Sequence, residues 1–108
     1  MTVHEMAEKL SLQTICEPDP DREVTGGYTG DLLSWVMGRA QSGDAWLTIM
    51  SNQNVVAVAT LADTSAVIFT EGVQPDAGVK ELAEKKDVNL YATPDHSFAV
   101  GAKVSALL

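Results

Sequence analysis

The chain holds one cysteine, Cys16, in its 108 residues. No intramolecular disulfide can form, so the fold needs no oxidising compartment. Basic side chains are also scarce: seven Lys and Arg stand against fifteen acids, a net charge of −8. Nucleic acids and anionic membrane surfaces both select for a basic face. The scattered cations here predict neither partner. No basic stretch followed by an apolar core opens the chain, so no signal peptide is expected. The most apolar run, Val55 to Phe69, is broken by Asp63 and falls short of the ~18–20 apolar residues that a spanning helix needs. These absences predict a soluble, cytoplasmic protein.

What is present is ordinary for a globular domain. Apolar residues at 45% and charged residues at 20% exclude disorder on composition. A chain of this length predicts one domain, residues 1–108, with one core.

The punctuation then sets the elements. Thr2 and Glu5 form a capping-box pattern, and Val3, Met6, Ala7 and Leu10 recur at helical spacing. Leu12 to Cys16 reads as a strand, ended by Pro18 and Pro20. Glu23 to Tyr28 reads as extended, interrupted by Gly26 and Gly27, with a turn and N-cap candidates at Thr29–Asp31. A helix follows from Leu32 to Ala40, apolar most of the way round, with Gly43 closing that region.

Ala45 to Met50 predicts a strand. Ser51 and Asn52 offer capping oxygens for the next element. Asn54 to Ala62 is rich in β-branched residues, yet a helix fits better because a strand follows at Ala66 to Thr70. Its Ala57, Ala59 and Ala62 suit close packing on a sheet. Glu71 and Gly72 end the strand, and a helix is expected from Pro75–Asp76 to about Lys86. Val88 to Tyr91 is a short strand. Thr93 as N-cap and Pro94 at the first helical position predict a last helix running to the C-terminus. Strands alternating with helices predict an α/β fold: a three-layer α/β/α single domain with a mainly parallel sheet.

Three stretches carry a family likeness: Asp21 to Met37, which includes Thr25-Gly26-Gly27 and Gly30-Asp31-Leu32-Leu33; Trp46 to Ala59, which includes Asn54; and Ala66 to Gly72, ending in Thr70-Glu71-Gly72. Together they resemble the DRTGG domain. The letters of that name are split here, with Glu23-Val24 between Arg22 and Thr25. The resemblance implies a three-layer α/β/α domain like the N-terminal domain of HPr kinase/phosphorylase. Similar domains sit beside the phosphotransacetylase catalytic domain and between the CBS domains of some inorganic pyrophosphatases, which implies a regulatory or ligand-sensing role. Small stand-alone versions are associated with bacterial hydrogenase gene clusters. The family has no established catalytic residues to carry over. The chain also lacks the G-x-x-x-x-G-K-[ST] loop whose amides and lysine hold nucleotide phosphates, so kinase chemistry of that kind is not expected.

Candidate sites have two readings each. Gly26, Gly27 and Gly30 either let the backbone approach a phosphate or make a tight turn, with Asp31 capping a helix or taking a sugar hydroxyl. Ser51, Asn52, Asn54, Glu71 and Gly72 fall where open parallel sheets bind ligands, outside the carboxyl ends of strands. They equally suit helix caps and a solvated loop. His4, His96 and Cys16 show no metal-ligand spacing, and no nucleophile–base pair stands at recognisable spacing. Catalytic residues, metal and cofactor are therefore each expected to be none. Trp35 and Met37 suggest an interface, for which a two-fold homodimer is the common form. Three functions follow: a non-catalytic regulatory module binding a nucleotide or phosphorylated metabolite, an interaction accessory of a hydrogenase or metabolic enzyme, and, least supported, an enzyme.

Overall fold

Thr2 starts the first helix by the mechanism its sequence predicts. Its hydroxyl accepts the N–H of Glu5 at 3.1 Å, and the Glu5 carboxylate accepts the N–H of Thr2 at 3.1 Å. In the computed structural model, which describes residues 1–108, this helix is α1 (Val3–Lys9). It turns Val3, Met6 and Ala7 inward.

The remaining elements follow in the order β1 (Gln13–Cys16), β2 (Gly26–Thr29), α2 (Leu33–Arg39), β3 (Asp44–Thr48), α3 (Asn54–Ala62), β4 (Ala66–Phe69), α4 (Val79–Lys85), β5 (Leu90–Ala92) and α5 (Ser97–Leu107). The ambiguous Asn54–Ala62 segment is a helix, as the strand after it requires. Val55, Val56, Val58 and Ala59 are its buried residues, while Ala57 faces water.

The sheet has five strands in the order β1-β5-β4-β3-β2. β2 to β5 are parallel and only β1 runs antiparallel, against β5. β3 and β4 are buried along their whole length, as parallel strands covered on both faces must be. On one face, α2, α3 and α4 close over Trp46, Val67, Phe69 and Leu90. On the other, α1 and α5 close over Ala45, Leu47, Ala66, Ile68 and Tyr91. This is the three-layer α/β/α architecture. No helix is long and apolar enough to cross a membrane.

Four expectations need correcting. Gly26 and Gly27 are not a turn but lie within β2, and Gly30 directly follows it; none of the three has positive φ. Asp31 does not cap α2, whose N-cap position is Leu32 with no side-chain bond. The helix expected from Pro75 starts only at Val79, because Gly78 sits at φ +87° and Asp76 is drawn to Ser51 instead. The last helix starts at Ser97, not beside Thr93. Thr93 stays on the sheet, donating its N–H to Phe69 and accepting that of Gly72. α2 is also less covered than its apolar sequence suggests: Val36 is its one buried residue.

Candidate functional site

Two regions deserve the name of candidate site: the loops at the carboxyl ends of the parallel strands, and a groove beside β2. The first is where sequence placed most of the candidates. β2, β3 and β4 lead to helices on one face, whereas β5 leads to α5 on the other. Connections therefore diverge between β4 and β5, the kind of point at which open sheets form ligand crevices.

Here that point is stitched by main chain. Glu71 donates its N–H to Asp95 at 2.8 Å, and Gly72 donates to Thr93 at 3.1 Å. Glu71 adopts φ 61° and Gly72 φ 81°, which lets the chain turn back sharply after β4. The Glu71 carboxylate then bridges the His96 ring nitrogen Nδ1 at 2.7 Å and the N–H of Ser97, the first residue of α5, at 2.7 Å. Its pKa is lowered, first by the His96 hydrogen bond and then by Ser97. That of His96 is raised in turn by Glu71. Beneath them the hydroxyls of Thr70 and Ser97 lie 2.6 Å apart.

The neighbouring loops are satisfied in the same way. Asp31 Oδ1 accepts the Thr48 hydroxyl and the Ile49 N–H, both at 2.9 Å. The Ser51 hydroxyl donates to Asp76 at 3.0 Å. Asn52 Oδ1 accepts the Asn54 N–H at 2.9 Å, a local turn bond before α3, whose N-cap position is Gln53 with no side-chain bond, so neither Ser51 nor Asn52 is its cap residue. The cationic side chain at this edge is Lys103, 3.3 Å from Asp95, and His96, held by Glu71, adds a positive charge when protonated. A ligand taken up at this edge would have to exchange these internal bonds for its own. None of the four cavities in the molecule is lined by Asp31, Ser51, Asn52, Asn54, Glu71 or Gly72.

The second region is one that the sequence reading missed. α5 lies across β2 and β3 and leaves a cavity of about 200 Å³ between Gly27, Thr29, Leu47, Gly101, Val104, Ser105 and Leu108, with Tyr28 completing the wall. A more open hollow continues along Ser97, Phe98, Gly101 and Ala102. The signal was present as the spacing Phe98, Gly101, Ala102, Ser105, one helix face by periodicity. Of the predicted ligand residues, Gly27 alone lines this groove. A Cβ on Gly27 would meet the Ala45 carbonyl at 3.6 Å and Val104 at 3.8 Å, and one on Gly101 would meet Leu47 at 3.8 Å, all ordinary contact distances.

Burial pushes the Cys16 thiol pKa up, away from the thiolate that a nucleophile needs. Burial first, and the Glu17 hydrogen bond next, push the Tyr91 hydroxyl far up. His4 sits between Glu17 at 2.8 Å and Glu8 at 2.7 Å, tying α1 to the end of β1. No group of three His, Cys, Asp or Glu side chains is arranged to hold a metal ion. Trp35 is 52% and Met37 50% exposed. They stand two positions apart on α2, so they do not share a face. The Arg39 guanidinium stacks 3.7 Å over the Trp35 ring.

This three-layer domain has recognisable relatives. The family model for the DRTGG domain matches residues 32–107, more than two-thirds of the chain. The chain belongs to the DRTGG domain family. Among solved structures, it resembles the CBS and DRTGG domains of the regulatory region of Clostridium perfringens pyrophosphatase, complexed with its activator diadenosine tetraphosphate. The TM-score is 0.69 at 18% identity, over 95% of this chain and 45% of that one. The chain thus spans less than half the length of that regulatory region. At this identity the likeness is one of fold. No curated protein matches the sequence.

Proposed function

We propose that this chain is a non-catalytic regulatory module that binds a small metabolite, a nucleotide or a phosphorylated compound, and works as a homodimer. Membership of the DRTGG family carries this reading. Support comes from a fold shared with a regulatory region that takes a nucleotide activator.

The ligand-binding residues of this proposal are Gly30, Asp31, Ser51, Asn52, Asn54, Glu71 and Gly72 at the strand ends, with Gly26 and Gly27 on β2. Binding there exchanges internal hydrogen bonds such as Glu71–His96 for bonds to the ligand. That exchange moves the β4–α4 and β5–α5 loops, the property a sensor needs.

Thermal unfolding against a panel of nucleotides and phosphorylated metabolites tests it. A ligand that binds only the folded state adds RT ln(1 + [L]/Kd), ~2.7 kcal/mol at a concentration ~100-fold above Kd. A specific shift that Asn52→Ala or Gly27→Val abolishes is the expected result. No shift across the panel at millimolar concentration ends the ligand reading.

The half-exposed Trp35 on α2 favours a second reading, an interaction accessory of a hydrogenase or another metabolic enzyme. Affinity capture from cells expressing both partners tests it. Loss of the captured enzyme with Trp35→Ala is expected, and capture of no specific enzyme rejects it.

A further inference from the structure

β2 is an edge strand with a hydrogen-bonded neighbour on one side only. Its sequence, Gly26-Gly27-Tyr28-Thr29, holds no proline, lysine or other charge. Those are among the devices by which edge strands refuse further pairing, although β2 is short, at four residues. The groove described above runs along this edge, and Phe98 beside it is 90% exposed. We propose that this edge is where two copies of the chain join, β2 against β2 and α5 against α5, with Phe98 of each copy seated in the groove of the other.

Geometry supports a second copy as the occupant. Phe98 and Ser105 stand symmetrically about the midpoint between Gly101 and Ala102. A two-fold axis through that midpoint runs the two α5 helices antiparallel and sets Phe98 opposite Ser105 of the second copy. Gly101 and Ala102 let the helix backbones approach at the axis. Ser105 lines the cavity of about 200 Å³, and a cavity of roughly 150 Å³ already accepts a benzene ring. An isologous contact needs such a knob and its hole on one surface.

Charge supports it too. Two chains of net charge −8 repel each other, so self-association needs a face free of acids. No charged side chain lines either hollow. The area is also sufficient in scale. Two Phe98 side chains contribute roughly 300–500 Å². With Leu108, 55% exposed, and both β2 edges, the pairing reaches the order of 1,000 Å² that a specific interface requires. On the opposite sheet face, a right-handed β2–α2–β3 crossover puts the Trp35 flank of α2 toward this edge and the Met37 flank toward α3. Trp35 therefore joins the interface and Met37 does not.

The inference rests on the homodimer part of the function proposed above, and the test separates the two. Sedimentation equilibrium of the whole chain is measured for wild type, Phe98→Asp, Ser105→Arg and Leu61→Asp. Leu61 is 71% exposed on α3, away from this edge. The expected result is a wild-type dimer, weakened about tenfold or more by the first two substitutions and unchanged by Leu61→Asp. A cysteine pair, Phe98→Cys with Ser105→Cys, should cross-link two chains on mild oxidation, and the buried Cys16 leaves little background. A monomeric wild type overturns both the dimer and its surface. A dimer that survives Phe98→Asp and Ser105→Arg, or that yields no cross-link, overturns the surface alone.

Discussion

Glu71 lies in the loop after β4 and Ser97 opens α5, yet the carboxylate of the first accepts the backbone N–H of the second at 2.7 Å. The start of α5 is thereby fixed by the end of β4. A negative group there also meets the positive end of the helix dipole. Glu71→Ala is expected to lower the urea midpoint and to loosen the first turn of α5, seen as faster amide exchange from Ser97 to Val100. Glu71→Gly removes the same cap but relieves the left-handed backbone at this position (φ 61°). It should therefore be milder than Glu71→Ala. An equal loss for both would mean that the carboxylate alone matters.

This pair marks the limit of what the sequence revealed. The Thr2–Glu5 capping box was legible because both partners lie within one turn of chain. The cap of α5 was not, since its donor and acceptor are twenty-six residues apart and meet only once β4 and β5 pair. Thr93-Pro94 looked like a helix start, but the ladder to Phe69 holds Thr93 on the sheet. The glycine cluster misled in a related way: glycine suits turns, but here Gly26 suits a strand position crowded by the Asp44 side chain. Asp31, Ser51 and Glu71 do follow β2, β3 and β4, while the pairing of Asp31 with Thr48 or Ser51 with Asp76 depends on which strands are neighbours. The groove escaped because its apolar stripe includes two small residues and a serine, which carry little hydrophobic signal.

Asp31 offers a second test. Its Oδ1 alone accepts both the Thr48 hydroxyl and the Ile49 N–H, and Thr48 is fully buried. Asp31→Ala leaves a buried hydroxyl short of a partner and should cost about 1–2 kcal/mol. Asp31→Asn keeps an acceptor oxygen and should cost less. Urea denaturation of the three proteins gives the ranking. Equal stability of wild type and Asp31→Ala would show that this carboxylate holds nothing in place.

Stability should also respond to pH through His4. The Glu17 hydrogen bond, more than any other influence, raises its pKa above the ordinary value of 6.5. A raised folded-state pKa means that the contribution is fully present below 6.5. It is lost as pH climbs through the higher folded value. The stability gap between wild type and His4→Gln should thus be widest in mildly acidic buffer and narrow above neutrality. His4 and Glu8 are exposed while Glu17 is mostly covered, so added salt should shrink the gap only in part. Urea midpoints at several pH values measure the gap, and the ring protons of His4 in NMR give its pKa directly. A His4 pKa at or below the ordinary value would contradict the Glu17 pairing.

Gly101 sets stability and assembly against each other. It stands inside α5, where glycine costs up to ~1 kcal/mol relative to alanine. A Cβ there meets only Leu47 at 3.8 Å and Thr29 at 4.0 Å, ordinary contact distances. Gly101→Ala should therefore stabilise the folded monomer by roughly 0.5–1 kcal/mol. A glycine at this position makes sense if something approaches that helix face more closely than alanine allows. Gly101→Leu sharpens the comparison, since its longer side chain leans into the groove. It should keep the far-ultraviolet circular dichroism of wild type and lose self-association. A Gly101→Leu protein that still dimerises would show that the helix face at Gly101 is not the contact. A destabilised Gly101→Ala would show that the groove is tighter than its geometry indicates.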